Sequence, residues 1–319
     1  MMHLLLTGGA GFIGHHLLAA LYAKYPGAQI TCIDNFDPFY DVAVKENNIQ
    51  PFLSKPGFRL LRIDLGQTSP TQLTTLIPEK VDLILHLAAK AGVRPSIQNP
   101  EAYQQANVGG TKNLLDFAVA TGVRQFIFAS SSSVYGINDH YPWKEDEELI
   151  PISPYASTKL AGEQLGKQYR ERHGMRFIAL RFFTVYGPGQ RPDLAIHKFT
   201  RAILNDQPLT VYGNGNTSRD YTYVGDIVQG ILGAMKYSDS NFEIINLGNH
   251  YSISLIDLIR AIEKITGKSA LLQYGPDQPG DVPKTYADIS KAKRLLGYDP
   301  QTKLETGLTA FVDWFTSNR

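Results

Sequence analysis

The chain has 319 residues, 31 Lys+Arg against 30 Asp+Glu, and 43% hydrophobic residues. So even a charge balance offers no basic face to a nucleic acid or an anionic membrane, and that much apolar material can bury a core of one large α/β domain or two lobes. One cysteine, Cys32, excludes an internal disulfide, and its apolar neighbours predict a buried structural thiol. The apolar start MMHLLL has no basic leader, and no later run is long enough to span a bilayer, which together predict a soluble, cytoplasmic protein.

A short apolar strand at 3–6 opens the chain and runs into TGGAGFIG at 7–14, with a helix expected over 13–23. Gly9, Gly11 and Gly14 satisfy G-x-G-x-x-G, and Gly8, Gly11 and Gly14 the wider G-x-x-G-x-x-G. Glycine permits the tight turn and lets backbone N–H groups approach a pyrophosphate, towards which the following helix points its positive end. The next strand, 29–33, ends at Asp34, about 20 residues after Gly14, where a carboxylate accepts hydrogen bonds from ribose hydroxyls and repels a 2′-phosphate. With no Arg beside it in sequence, NAD is favoured over NADP. Strands at 58–62, 83–86, 125–128 and 177–181 follow, with a helix at 111–120. Apolar strands alternating with helices predict a doubly wound parallel (Rossmann) sheet covered on both faces. Beyond 181 the pattern loosens, a strand at 243–247 rejoins the sheet, and a smaller C-terminal α/β substrate lobe packs over its carboxyl edge.

Two segments carry chemistry. FASSSSVYG, 128–136, runs a strand into four hydroxyls, with Ser130 expected to close that strand. In SPYASTKLAGEQ, Tyr155 and Lys159 share one face of a helix at i, i+4, and of 17 tyrosines this alone is followed four places on by Lys or Arg. A phenol is a poor base near neutral pH, and a close ammonium stabilises its phenolate, so the pair suits proton removal from an alcohol as hydride leaves for a nicotinamide. Lys144 to Glu148, KEDEE, reads as a solvated loop. His15 and His16, being adjacent, are expected to face different directions, His86 to be a satisfied core histidine, and no metal-ligand spacing occurs.

The glycine loop, Asp34, HLAA at 86–89, the serine run with VYG, and Tyr155-x-x-x-Lys159 together resemble the extended short-chain dehydrogenase/reductase family, over essentially the whole chain. LRFFTVYGPGQRPD (180–193), SRDYTYVGD (218–226) and QPGDVPKTYADISKAKRLLGY (278–298) resemble its nucleotide-sugar members. Within the family the chain is most similar to UDP-glucuronate 4-epimerases, with UDP-glucose/galactose 4-epimerases as nearest neighbours.

The resemblance implies an NAD-binding domain over 1–183 with a returning segment near 221–262, and a UDP-sugar-binding lobe from 184–220 and 263–319. NAD would be held by the glycine loop with Phe12 and Ile13, by Asp34, Asn35, Asp64 and Leu65, and by Leu87, Ala88 and Ala89. Lys90 would lie near the cofactor phosphates, although many uronate epimerases have Gln there. Asn107, Ser130 and Phe182 complete that set. Tyr155 would be the acid/base, Lys159 would tune it and bind the nicotinamide ribose, and Ser131 would bridge Tyr155 to the sugar's 4-OH. Ser132 and Thr184 fall on the substrate side. Tyr212 matches an aromatic that stacks on uracil, Arg219 an arginine on the diphosphate, and Asp281 an acid near the uridine ribose. Arg191 faces either the diphosphate or a sugar carboxylate. Gln278 stands where UDP-galactose epimerases carry a phosphate-binding Arg, as in uronate epimerases. A homodimer through the helices around 107–120 and 155–173 is the family's usual assembly.

The implied reaction is redox-neutral 4-epimerisation through a 4-keto sugar, of UDP-glucuronate first and of neutral or N-acetyl UDP-sugars as the alternative. A 4,6-dehydratase would need an Asp-Glu pair in the serine run, and a uronate decarboxylase a Glu just before VYG; Ser132 and Ser133 stand there. A uronate epimerase must also hold the carboxylate so that the β-keto acid does not lose CO₂, a task for Ser131, Ser132, Thr184 and Arg191. A non-catalytic NAD-binding sensor is the remaining alternative, though such proteins typically lose the tyrosine or lysine.

Overall fold

The apolar runs of the first half become strands β1 His3–Thr7, β2 Gln29–Ile33, β3 Phe58–Leu61, β4 Leu83–His86, β5 Gln125–Ser131 and β6 Arg176–Phe182 in the computed structural model, which describes residues 2–276 and 282–318. Short strands β7 Thr184–Tyr186, β8 Pro208–Tyr212 and β9 Ser218–Tyr223 follow, then β10 Phe242–Leu247, β11 Ser252–Ser254 and β12 Leu271–Gly275. Seven strands form one parallel sheet in the order β10-β6-β5-β4-β1-β2-β3, so the strand expected at 243–247 does rejoin it.

Side chains alternate across β1. Leu4 and Leu6 enter a core with helices Phe12–Lys24 and Val224–Lys236, and Leu5 enters another with helices Gly110–Thr121 and Pro154–His173. Both faces are therefore covered, as all-apolar strands require. A third core, with Tyr186, Leu209, Val211, Ile262 and Phe311 at its centre, sits under the pair β8–β12 and the three-stranded sheet β7–β9–β11. β1 lies between β4 and β2, and the chain leaves their carboxyl ends into one crevice, where open α/β sheets take their ligands.

The helix Pro154–His173 lies very low on the sheet. A methyl on Gly162 would sit 2.4 Å from the Phe128 ring, and one on Gly166 2.2 Å from Phe177. Ser153 caps the helix by accepting from the Ala156 amide at 3.2 Å. Together these fix the height of Tyr155 and Lys159 over β5.

Three local expectations differ. β5 runs through Ser131, pairing Ser130 with Arg181 and Ser131 with Phe182, because the hydroxyls find partners inside. Glu145 leaves the solvated loop: its carboxylate accepts from the Asn246 amide at 2.8 Å, covering part of the exposed edge of β10. His15 and His16 do not diverge; their ring centroids lie 4.1 Å apart, held by Gly11 O at 3.0 Å and Pro188 O at 2.8 Å, and burial lowers both pKa values. Cys32 is buried as expected, and burial raises its thiol pKa.

Candidate active site

The turn after β1 is built by close approach. Gly8 has φ +75°, and a Cβ there would lie 2.8 Å from the Ala88 amide nitrogen; a Cβ on Gly14 would lie 2.1 Å from Gly8 O. Gly11 caps the helix Phe12–Lys24 without a side-chain bond, so its first amides face an anion site unobstructed. Asp34 accepts from the amides of Ala10 (3.1 Å) and Phe36 (2.9 Å), while burial raises its pKa. An arginine does lie near in space: Arg62 covers the Phe36 ring at 4.0 Å, but Glu46 grips it with two bonds of 2.6 Å. Asn35 donates to Asp64 at 3.1 Å.

From this cradle a cavity of about 840 Å³ runs to the helix bearing Tyr155 and on to Arg219. Among the described residues, every one expected at the site lines it except Asn107 and Tyr212. Asp281 and Gln278 fall outside the described residues. Asn107 is buried behind the wall, bonding both the amide (2.8 Å) and carbonyl (3.0 Å) of Lys90 and the Thr158 hydroxyl (3.0 Å). Tyr212 stays on the lobe with the Arg94 guanidinium 5.2 Å over its ring, a cation–π contact that covers one face. Sequence reading assigned no role to Phe39, Tyr40, Lys45 and Tyr103, all on the cavity wall; Phe39 and Tyr40 lie in DNFDPFYD, 34–41, a stretch that also resembles the uronate epimerases.

At the sugar end, Tyr155 is ringed by protein and half-buried, with Tyr103 edge-on at 6.4 Å. Desolvation raises its pKa, against a hydrogen bond with Ser131 and the charge of Arg191. Lys159 was expected to supply that charge. Its Nζ sits 6.0 Å from the Tyr155 ring centroid and donates to Ala129 O at 2.7 Å. Burial lowers the ammonium's pKa to about 8, with Glu163 opposing. Glu163 accepts from Ser130 (2.5 Å) and from Arg181 (2.9 and 2.8 Å), all three deep in the fold. Arg191 is bound to Asp193 at 2.9 and 2.7 Å and lies 5.2 Å over the Phe39 ring. The Ser133 hydroxyl is buried with no partner among the described residues and lines the same cavity. His86 is the satisfied core histidine expected, between the hydroxyls of Thr7 (2.7 Å) and Thr111 (2.9 Å), its pKa lowered to about 3 by burial and then by Lys159. No group of three metal-ligating side chains occurs among the described residues.

The arrangement offers a dinucleotide cradle, a tyrosine with a hydroxyl partner, and a cation in one continuous cavity. A family model described as GDP-mannose 4,6 dehydratase matches residues 5–311. The chain belongs to this family. A curated UDP-glucuronate 4-epimerase from Thermodesulfobacterium geofontis is 37% identical over 321 residues, covering 100% of this chain and 97% of the relative. A crystal structure of UDP-glucuronic acid 4-epimerase from Bacillus cereus, in complex with UDP-glucuronic acid and NAD, superposes with a TM-score of 0.93 at 38% identity, covering 100% of both chains. A UDP-glucose 4-epimerase from Thermotoga maritima, solved with UDP-glucose, superposes with a TM-score of 0.90 at 30% identity, over 99% of both chains. The family model thus carries a dehydratase's description, while these full-length relatives are 4-epimerases.

Proposed function

We propose that this protein is an NAD-dependent isomerase that converts UDP-glucuronate to UDP-galacturonate at carbon 4. The observation that carries the reading is the continuous cavity from the glycine cradle to Tyr155, whose lining also includes Ser131, Ser132, Thr184 and the Arg191–Asp193 pair. The cradle suits the cofactor: amides at an uncapped helix start face its pyrophosphate, and Asp34 keeps lone pairs for its ribose. When bound, NAD would supply the hydride acceptor for carbon 4 and the donor for the hydride's return.

The chain's own residues do the rest. Tyr155 takes the 4-OH proton, with Ser131 bridging the two oxygens. Lys159 places a positive charge behind the phenol and adds a donor for the nicotinamide ribose. Arg219 grips the diphosphate, so the nucleotide stays fixed while the keto sugar turns. Ser131, Ser132, Thr184 and Arg191 hold the sugar's carboxylate out of the alignment that would release CO₂. The same reading makes the protein a cytoplasmic homodimer; among the described residues no helix is long and apolar enough to cross a membrane.

One observation favours a neutral sugar: Arg191 already has a carboxylate, that of Asp193. The test offers the purified protein UDP-glucuronate, UDP-glucose and UDP-N-acetylglucosamine separately, with products resolved by NMR. UDP-galacturonate from the first supports the reading. Turnover of the neutral sugars alone overturns it in favour of that second reading, and a UDP-pentose product would make the protein a decarboxylase.

A further inference from the structure

Lys90 is not free to act as a simple phosphate ligand. Its Nζ lies 2.5 Å from Asp37 Oδ2. Asp37 belongs to the segment leaving β2, and Lys90 to the segment leaving β4. β1 runs between those two strands, and the glycine loop leaves its end. The ion pair therefore joins the two walls of the crevice, with the glycine loop between them, and all three line the same cavity.

Both ends of this bridge are braced. Asn107 holds the Lys90 backbone on either side of its Cα. On the other wall, Lys45 donates to Asp37 O at 2.8 Å, and the Phe39 amide donates to Asp37 Oδ1 at 3.0 Å. Burial pushes the Asp37 carboxyl up, but Lys90, the Phe39 amide and Lys45 together outweigh it and the net pKa is lowered. Further along the same segment, Phe39 lies under the Arg191 guanidinium, so the strap reaches from the cradle to the sugar end.

We propose that the Asp37–Lys90 pair is a bridge over the cofactor's pyrophosphate, whose opening sets how fast the dinucleotide leaves. This rests on the reading that the cradle binds NAD. The bridge adds to the floor of glycine amides a roof made of side chains, which must part for cofactor to enter or escape. Such a roof suits a redox-neutral reaction, in which loss of reduced cofactor in mid-cycle would strand the keto sugar. It also has a signature. The pair's side chains are 33% and 23% exposed, so dissolved salt screens it.

The experiment measures NAD release from the holoprotein, trapping freed nucleotide with a second NAD-consuming enzyme in solution, at low and high sodium chloride. Wild-type release is expected to quicken with salt. Asp37→Asn is expected to release NAD about five-fold faster than wild type at low salt and to lose the salt response. The exchanged pair Asp37→Lys with Lys90→Asp is expected to recover slow, salt-sensitive release, and melting curves show whether each variant is folded. If Asp37 merely competes with the pyrophosphate for Lys90, Asp37→Asn releases NAD more slowly. That result, or an unchanged rate in a folded variant, overturns the bridge alone. Protein that carries no nucleotide and binds no added NAD overturns the NAD reading and the bridge with it.

Discussion

Replacing Glu163 by Gln removes one charge from the buried group on the sheet-facing side of the helix Pro154–His173. The carboxylate is 2% exposed and Arg181 1%, with two bonds of 2.9 and 2.8 Å between them. Arg181 also lies 4.8 Å over the Tyr135 ring and has no route to water. Breaking such a pair strands a guanidinium at a cost of about 3–5 kcal/mol. Unfolding entropy near 2.1 cal/mol/K per residue gives about 0.7 kcal/mol/K for this chain, so a loss of about 4 kcal/mol lowers the melting temperature by about 6 °C. Thermal melts followed by circular dichroism measure it, together with Arg181→Met and the double variant. If the stranded charge is the cause, the double variant should regain most of what Glu163→Gln loses. A second readout is kinetic. Lys159 loses its ammonium as pH rises through about 8, and Glu163 is what opposes the larger effect of burial. Without Glu163 the alkaline limb of the rate profile should move to lower pH. A melt within 1 °C of wild type together with an unmoved alkaline limb would refute the reasoning.

Gly166→Ala would force a methyl to within 2.2 Å of Phe177, costing about 1–3 kcal/mol and lifting the helix, so turnover should fall alongside the melting temperature. Asp220 is fully buried, and desolvation raises its pKa to about 6 from 3.8 despite the amides of Asn249 and Ala287. A raised carboxyl favours the fold below its unfolded pKa and loses that advantage as pH rises to the folded one. Wild type should therefore lose about 3 kcal/mol between about pH 3 and 7 relative to Asp220→Asn in urea titrations across that range; parallel pH slopes would contradict the shift. Ser131→Ala should lower kcat about 100-fold with little change in KM, because its bond to Tyr155 acts on proton transfer; a loss confined to KM would make Ser131 a binding residue only.

Local chemistry was legible wherever periodicity or spacing carried it. The strands of the first half are apolar runs, and β2 and β4 have the expected bounds, with Asp34 following one and Asp82 preceding the other. β5 was cut short at Phe128 because serines read as loop, and the partner that keeps Ser130 inside, Glu163, lies 33 residues away. No period links Asp37 to Lys90, Glu145 to Asn246, or Arg191 to Asp193 and Phe39 at once; such pairs exist only once strand order is set. The tyrosine–lysine spacing put both side chains on one helix face and in one cavity, but did not reveal the contacts each makes there. An i, i+4 relation places two side chains on one face and leaves open that a backbone carbonyl, Ala129 O, takes the ammonium. Tyr212 shows the complementary limit, since a cation from another segment, Arg94, engages the ring expected to take a base.

The helical run from Pro100 to Thr121 is interrupted at Gln104–Gly109 by a π-helical stretch. A π-bulge behaves as one residue inserted into an α-helix, turning everything beyond it by about 100°. Asn107 sits in that stretch, facing Lys90 and Thr158, while Leu114, Leu115 and Ala118 further on still meet the core. The helix thus serves two orientations that a regular spiral does not satisfy at once. Deleting a single residue between 104 and 109 would leave a perfectly good helix with either its asparagine or its apolar stripe pointing the wrong way. Length within these six positions is under tighter constraint than residue identity, and an alignment gap there would mark a relative whose Lys90 backbone is held by something other than Asn107.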